Sequence, residues 1–347
     1  MDLDDDACYR AFTMRDARLD GRIFGAVRTT GIYCRPVCPA RTPKRANMRF
    51  FPSAAAAQEA GFRPCLRCRP ETSPDLGSWN GTSNTVSRAL ALIEQGALDE
   101  GDVDALAGRL GVGERQLRRL FRQHLGASPV AVAQTRRVLM AKQLLHETRL
   151  PMAEVALASG FGSVRRFNET FQQLFRRPPG AIRRGGAAEV SGAEGATLRL
   201  PYRPPYDWDA MLDFLSGRAI AGVEAVRNGR YARTLQIDGA SGWVMVEPGE
   251  GNTLKVTLKV PKVRAWPSVI ARLRRVFDLA ADPALIGAHL SEDPVLAPMV
   301  AARPGLRAPG AWGGFELAVR AVLGQQVTVT AARGLAGRLA EAHGEPF

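Results

Sequence analysis

Apolar residues recur along this chain in two rhythms. Between residues 84 and 184 the period is helical: Leu106-Ala107, Leu110, Leu117 and Leu120-Phe121 would bury one face of two short helices, 102–110 and 114–124, joined at Gly111. A second copy follows as residues 152–159, the turn Gly160-Phe161-Gly162 and residues 163–175, with a long apolar helix at about 129–146 between the copies. Farther on the rhythm becomes alternation. Residues 231–237 and 254–260 read as half-buried strands, with 243–246 as another short strand. From Trp266 the pattern is helical again, and residues 315–323 and 329–339 are amphipathic at helical spacing.

Two stretches rich in turn-forming and small residues, 71–83 and 185–196, read as linkers. They divide the chain into blocks at 7–72, 84–184 and 197–347, and all five cysteines fall in the first. The helical pattern breaks off at Phe347 without a closing element, so the last block is expected to be incomplete.

Charge separates these blocks further. The 347 residues carry a net charge of +13, which points to a polyanionic partner. Residues 7–70 hold thirteen Lys/Arg against three Asp/Glu, residues 83–185 sixteen against nine, and residues 186–347 eighteen against sixteen. The polyanion is therefore expected at the first two blocks. No apolar run is long enough to span a membrane, and the acidic start (Asp2, Asp4, Asp5, Asp6) is unlike a signal peptide. A cytoplasmic location follows as the expectation. Thiols stay reduced there, so the cysteines favour metal binding or catalysis over disulfides.

Cys34 and Cys38 are followed after twenty-six residues by Cys65 and Cys68. Two close pairs separated by a loop suit one tetrahedral Zn2+ held by four thiolates. Arg35-Pro36, Gly61 and Pro64 supply the turns, and Cys8 lies outside the pattern as a lone thiol. A purely structural zinc knuckle has the same spacing. One consideration favours chemistry: bound thiolates stay deprotonated and hence nucleophilic. Nine Lys/Arg against the single Glu59 between Arg28 and Arg69 could draw a DNA phosphate to the anionic cluster.

The runs Val27-Arg28-Thr29-Thr30-Gly31-Ile32-Tyr33-Cys34-Arg35-Pro36, Cys38-Pro39-Ala40-Arg41 and Gly61-Phe62-Arg63-Pro64-Cys65 resemble the N-terminal domain of the Ada DNA-repair family. That resemblance implies Cys34 as acceptor of a methyl group from a DNA methylphosphotriester. It also implies that Cys34, Cys38, Cys65 and Cys68 hold the zinc, and that the protein is consumed in one turnover. Arg35, Arg41, Lys44, Arg45, Arg63 and Arg67 are candidate phosphate contacts.

In the second block, Ala156 to Gly160-Phe161, Phe167, Phe171, Phe175 and Pro178-Pro179 resemble the closing phrase of the AraC family of transcription activators. Two helix-turn-helix units can occupy successive major-groove segments. Candidate base contacts are Arg115, Gln116 and Arg119 in the first unit, and Arg165, Arg166 and Asn168 in the second. The resemblance implies promoter DNA and RNA polymerase as partners.

In the third block, Tyr202-Arg203-Pro204-Pro205-Tyr206-Asp207-Trp208 and Met211-Leu212 with Phe214-Leu215 resemble the opening of the AlkA family of 3-methyladenine DNA glycosylases. The run Phe315-Glu316-Leu317 through Leu323-Gly324-Gln325 resembles the first helix of that family's helix-hairpin-helix domain. By that resemblance Phe214, Gln325 and Gln326 stand at the pocket for a flipped base. The family's hairpin and catalytic aspartate are expected beyond Phe347. No Pro-Cys-His-Arg run occurs, so guanine O6 methyl transfer is not expected.

The expected architecture is multidomain α+β. It comprises a zinc-binding methyl-acceptor domain at 7–72, an all-α double helix-turn-helix at 84–184, an α+β AlkA-type N-terminal domain at 197–283, and the start of a helix-hairpin-helix domain at 284–347. The function expected is response to DNA alkylation damage. Two other readings stay open: a transcription factor with inert zinc, and a glycosylase whose front domains only target it to DNA.

Overall fold

The structure is a computed structural model, and it describes residues 4–73, 84–183, 195–237 and 239–346. The chain divides into two compact units, Met1–Ala188 and Glu189–Phe347.

The first unit opens with helix α1 (Asp5–Met14), capped by Asp4, whose carboxylate accepts the Ala7 N–H at 2.6 Å. Strands β1 (Phe24–Val27), β2 (Ile32–Cys34) and β3 (Met48–Phe51), helix α2 (Ala54–Glu59) and the short β4 (Arg63–Pro64) follow. The sheet order is β3-β1-β2-β4. Strand β1 is antiparallel to both its neighbours, and β4 lies parallel to β2 through Tyr33 and Pro64. A side chain at Gly25 would meet the Phe12 ring at 2.6 Å, so glycine there lets α1 lie flat on the sheet.

Next come α3 (Asn84–Glu94), α4 (Val103–Leu110), α5 (Glu114–Leu125), α6 (Pro129–Glu147), α7 (Met152–Ala158) and α8 (Val164–Phe175). The expected helices all form within two residues of their expected ends; α3 was not foreseen. Asp102, Ser128 and Ser163 cap α4, α6 and α8 by accepting the N–H three residues on. Glycines 111 and 160 make the inter-helix turns at positive φ. Val86, Ile93, Leu106, Leu117, Phe121 and Leu125 form the core of the first helix-turn-helix. In the second helix-turn-helix, Phe161, Phe167, Phe171 and Phe175 pack ring against ring, with successive centroids 5.3, 4.8 and 5.3 Å apart.

The reading of residues 71–83 as a linker needs correction at its start. Glu71 and Ser73 are buried, and residues 70–72 form a 3-10 turn against α6. Residues 74–83 lie outside the described residues, as do 185–194 of the second linker; Ala196 already opens a strand. Helix α6 is apolar because it is packed on several sides. Leu139 sits in the sheet's own core with Phe24, Tyr33, Ala57 and Phe62, while Ala133 belongs to the core of the first helix-turn-helix unit. The alanine run of α2 permits close approach to α6, and Ser53 both caps α2 and donates to the Leu125 carbonyl at 2.7 Å.

The second unit contains β5 (Ala196–Pro201), α9 (Trp208–Arg218), β6 (Glu224–Arg227), β7 (Arg230–Ile237), β8 (Ala240–Pro248), β9 (Thr253–Lys259) and α10 (Trp266–Val276). The sheet is antiparallel in the order β5-β9-β8-β7-β6, with alternate residues of β7 and β9 buried, as their pattern required. Helices α11 (Pro283–Leu290), α12 (Ala297–Ala302), α13 (Gly314–Leu323) and α14 (Val329–His343) complete it. Helices α13 and α14 form where expected, but their apolar residues are not buried as amphipathic packing predicts. No residue of α13 is buried, only Ala336 of α14 is, and Phe315 is 86% exposed. Among the described residues, no helix is long and apolar enough to cross a membrane.

Candidate zinc centre and nucleic-acid interface

The two cysteine pairs meet. Cys34 ends β2 and Cys38 follows in the next turn, whose Cys38 N–H donates to the Arg35 carbonyl at 3.1 Å. The Cys65 N–H donates to the Tyr33 carbonyl at 3.0 Å, which continues the β2–β4 pairing and brings the second pair beside the first. All four sulfurs lie within 4.8 Å of one another. A tetrahedron with zinc–sulfur bonds of about 2.3 Å has sulfur–sulfur edges of about 3.8 Å, so the donor set fits one Zn2+ held by four cysteines. Cys8 is buried elsewhere, against Phe12, Ile23 and Met48.

The four are not equivalent. Cys38, Cys65 and Cys68 are buried, whereas Cys34 is half-buried. Thiols this close cannot all ionise unaided. Hydrogen bonding from Cys34 lowers Cys38 to about 7, while Cys34 itself, hydrogen-bonded to Cys38, Cys65 and Cys68, is held far above its usual value. A bound dication reverses that logic and keeps every ligating thiol deprotonated.

Arg35, expected at the phosphate backbone, faces inward instead. It is buried, ion-paired with Asp20, and donates from Nη1 to the Cys68 carbonyl (3.3 Å), the Arg69 carbonyl (3.4 Å) and Thr72 Oγ1 (2.6 Å). Burial works against its charge, but Asp20 and the nearby Cys68 and Glu71 hold it protonated. Its work is to lash the turn after Cys68 to the turn after Cys34. Arg41, Lys44 and Arg67 are exposed and Arg63 is partly so. Arg45 is engaged with Asp5 (3.0 Å) and Asp6 (3.1 Å) and lies over the Phe50 ring.

On α5, Arg115, Gln116 and Arg119 are exposed on the face opposite Leu117 and Phe121. Their neighbours are committed: Arg118 pairs with Glu114, and Arg122 with Glu59 of α2, both at 2.5 Å. On α8, Arg165, Arg166 and Asn168 are exposed, with Arg165 paired to Glu169 at 2.8 Å. Helices α5 and α8 thus each present a polar triplet to solvent.

The candidate base-pocket residues lie on α9 and just after α13. Phe214 is 38% exposed on α9 under the Arg218 guanidinium, 3.8 Å from the ring centre. Gln325 and Gln326 are exposed after α13, and Gln325 bonds the Ala321 carbonyl at 3.0 Å. Sequence reasoning also missed Asp20, Glu71 and Lys142, the buried charges that hold the cysteine loops. Their partners lie far off in sequence, and no spacing rule announces them.

Family models match three segments: the metal binding domain of Ada over residues 7–71, a helix-turn-helix domain over 106–185 and the AlkA N-terminal domain over 197–313. The chain is 43% identical over 347 residues to the probable bifunctional transcriptional activator/DNA repair enzyme AlkA of Mycobacterium tuberculosis, covering 99% of this chain and 70% of that protein. It is 36% identical over 143 residues to the bifunctional transcriptional activator/DNA repair enzyme Ada of Escherichia coli, covering 41% and 39% of the two chains. It is 39% identical over 147 residues to DNA-3-methyladenine glycosylase 2 of the same organism, covering 42% and 50%. The chain therefore belongs to the family of bifunctional transcriptional activator/DNA repair enzymes in which an Ada-type zinc module and a helix-turn-helix block precede an AlkA-type module.

Proposed function

We propose that Cys34 irreversibly accepts the methyl group of a DNA methylphosphotriester, and that the methylated protein binds promoter DNA and activates transcription. The observation that carries this reading is the unequal burial of the four cysteines, in which Cys34 alone is not fully buried; this supports Cys34 as the acceptor. Zinc, when bound, keeps the thiolates ionised and in place. A lone pair on Cys34 Sγ attacks the methyl carbon, an S–C bond forms and the C–O bond breaks. The DNA phosphate leaves as a diester anion with the bonding pair, and no proton moves. The thioether is not reversed, so each protein acts once.

Arg41, Lys44, Arg63 and Arg67 hold the backbone near Cys34, with Arg45 in reach once released from Asp5 and Asp6. Arg115, Gln116, Arg119, Arg165, Arg166 and Asn168 read the grooves. Methylation removes one negative charge from the cluster, which at contact distance relieves about 1–4 kcal/mol of repulsion against the phosphates. Promoter-bound protein then engages RNA polymerase, in the cytoplasm. The AlkA-type block contributes part of a base-excision module for alkylated purines, with Phe214, Gln325 and Gln326 beside the extruded base.

Mass spectrometry of the Cys34 peptide, after zinc-loaded protein meets a methylphosphotriester duplex, tests the transfer. A gain of one methyl at Cys34, with tighter DNA binding that narrows as salt rises, is expected. An unmodified Cys34 in protein that has retained its zinc would overturn it.

A further inference from the structure

Lys142 lies in the middle of α6, in the helix-turn-helix block, with its side chain wholly buried. Its ammonium donates to Glu71 Oε2 at 2.6 Å and to the Cys65 carbonyl at 3.1 Å. Glu71 follows Cys68 by three residues and also accepts from Arg69 Nε at 3.2 Å. Arg69 Nη2 reaches Glu147 at the end of α6 at 3.0 Å, and Gln143 supports the other oxygen of Glu147 at 3.0 Å. Burial alone would raise the Glu71 carboxyl, but Lys142 and Arg69 hold it below its usual value.

Removing an ammonium and a carboxylate from water costs several kcal/mol each, recovered only where geometry is good. For adhesion alone, a leucine at position 142 would serve better. What a buried pair adds is register: slide α6 along the zinc module and both charges are stranded. The Cys65 peptide is the strut of this arrangement. Its N–H is bound to the Tyr33 carbonyl, one residue before Cys34, and its carbonyl is bound to Lys142. Helix α6 is thereby connected to the end of the strand that carries the acceptor sulfur.

We propose that Lys142 and Glu71 are positioning residues for methyl transfer: through them α6 holds the Cys65–Cys68 loop, and with it Cys34, in one fixed register to the recognition helices. A lesion and an operator would then be met by one body rather than by two modules on a tether. This rests on the reading of Cys34 as the acceptor.

The test uses the zinc-loaded chain with Lys142→Met and Glu71→Gln, each in single-turnover transfer from a methylphosphotriester duplex. The saturated rate should fall by about 10- to 100-fold, as when groups behind metal ligands are removed. The duplex concentration giving half the maximal rate should barely move, and zinc should remain at one per chain. Wild-type saturated rates in both variants would overturn the proposal. Should either variant fail to fold, hydrogen exchange on the wild-type chain decides. Zinc removal must deprotect residues 139–147 while leaving 164–175 unchanged; unchanged protection at 139–147 overturns the proposal. If the wild-type chain accepts no methyl at all, the acceptor reading fails, and the exchange measurement still judges the coupling.

Discussion

The four-cysteine cluster and the candidate base-pocket residues were both expected from sequence, and they differ in how the fold holds them. Cys34, Cys38, Cys65 and Cys68 come within 4.8 Å of one another, whereas Phe214, Gln325 and Gln326 sit exposed on two separate elements. A thiolate site is nearly local: two tight turns and one strand pairing, β2 with β4, bring the ligands together. A pocket for a base needs walls from several distant elements, so residue identity along the chain carries little of its geometry.

The largest effect that would sharpen this contrast is at the metal. Cys38→Ser leaves three thiolates, and in small zinc modules metal binding supplies on the order of 10–16 kcal/mol of folding free energy. Zinc should be lost to a chelator that wild-type protein resists, and the 7–71 sheet should lose its exchange protection. A Cys38→Ser chain retaining one zinc per molecule would break the contrast. Phe214→Ala, by comparison, should leave zinc content untouched.

The second effect falls where the zinc module meets the helical block. Leu139 of α6 is buried among Phe24, Tyr33, Ala57 and Phe62 of the module. Leu139→Ala should cost about 2–5 kcal/mol, and residues 4–73 and 84–183 should unfold in urea together, as one transition at a lower midpoint. Two separated transitions in wild-type protein would mean that the shared core does not couple them.

That junction also marks how far the sequence was legible. Helical and alternating periods located α4 to α8 and β7 to β9, because each element's own pattern fixes its face. Cys spacing located the metal. Charge direction was not legible: Arg35 reads as one more cation in a basic stretch, yet Asp20 draws it inside. Lys142 is one cation inside a long apolar helix that the pattern does not single out, and its partner Glu71 lies seventy-one positions away in a stretch that composition marks as linker. Turn-forming residues mark where chain can bend; they do not say whether it is buried.

A smaller effect concerns how α13 is attached. Its contacts with the sheet include ion pairs. Glu316 pairs with Arg233, which also meets Glu224 at 2.9 Å and lies over the Trp312 ring, while Arg320 reaches Glu224 at 2.6 Å. Burial raises the Glu316 carboxyl, but Arg233 and Arg320 outweigh it and hold the group below its usual value. A depressed carboxyl contributes stability that is present above its unfolded value, about 4.3, and lost as pH falls through the folded one. Glu316→Gln should therefore be destabilising near neutral pH, and the gap to wild type should close as pH falls below about 4. A gap that stays constant down to acid pH would show that the carboxylate's charge is not what holds the helix.

The smallest expected effect is the most discriminating about amphipathic patterns. Phe315, Ala318, Val319 and Val322 repeat at helical spacing and α13 does form, but Phe315 is 86% exposed and Val322 71%. A period states that one face is apolar; it does not state what covers that face. If the ion pairs to Glu224 and Arg233 are the attachment, the aromatic ring adds almost nothing, and Phe315→Ser should change stability by less than about 0.5 kcal/mol. The same kind of truncation at Leu139, on a helix of equal regularity, costs several times more. Equal losses at the two positions would mean that Phe315 is covered in solution, and the contrast between a packed spine and an ionically held helix would fall.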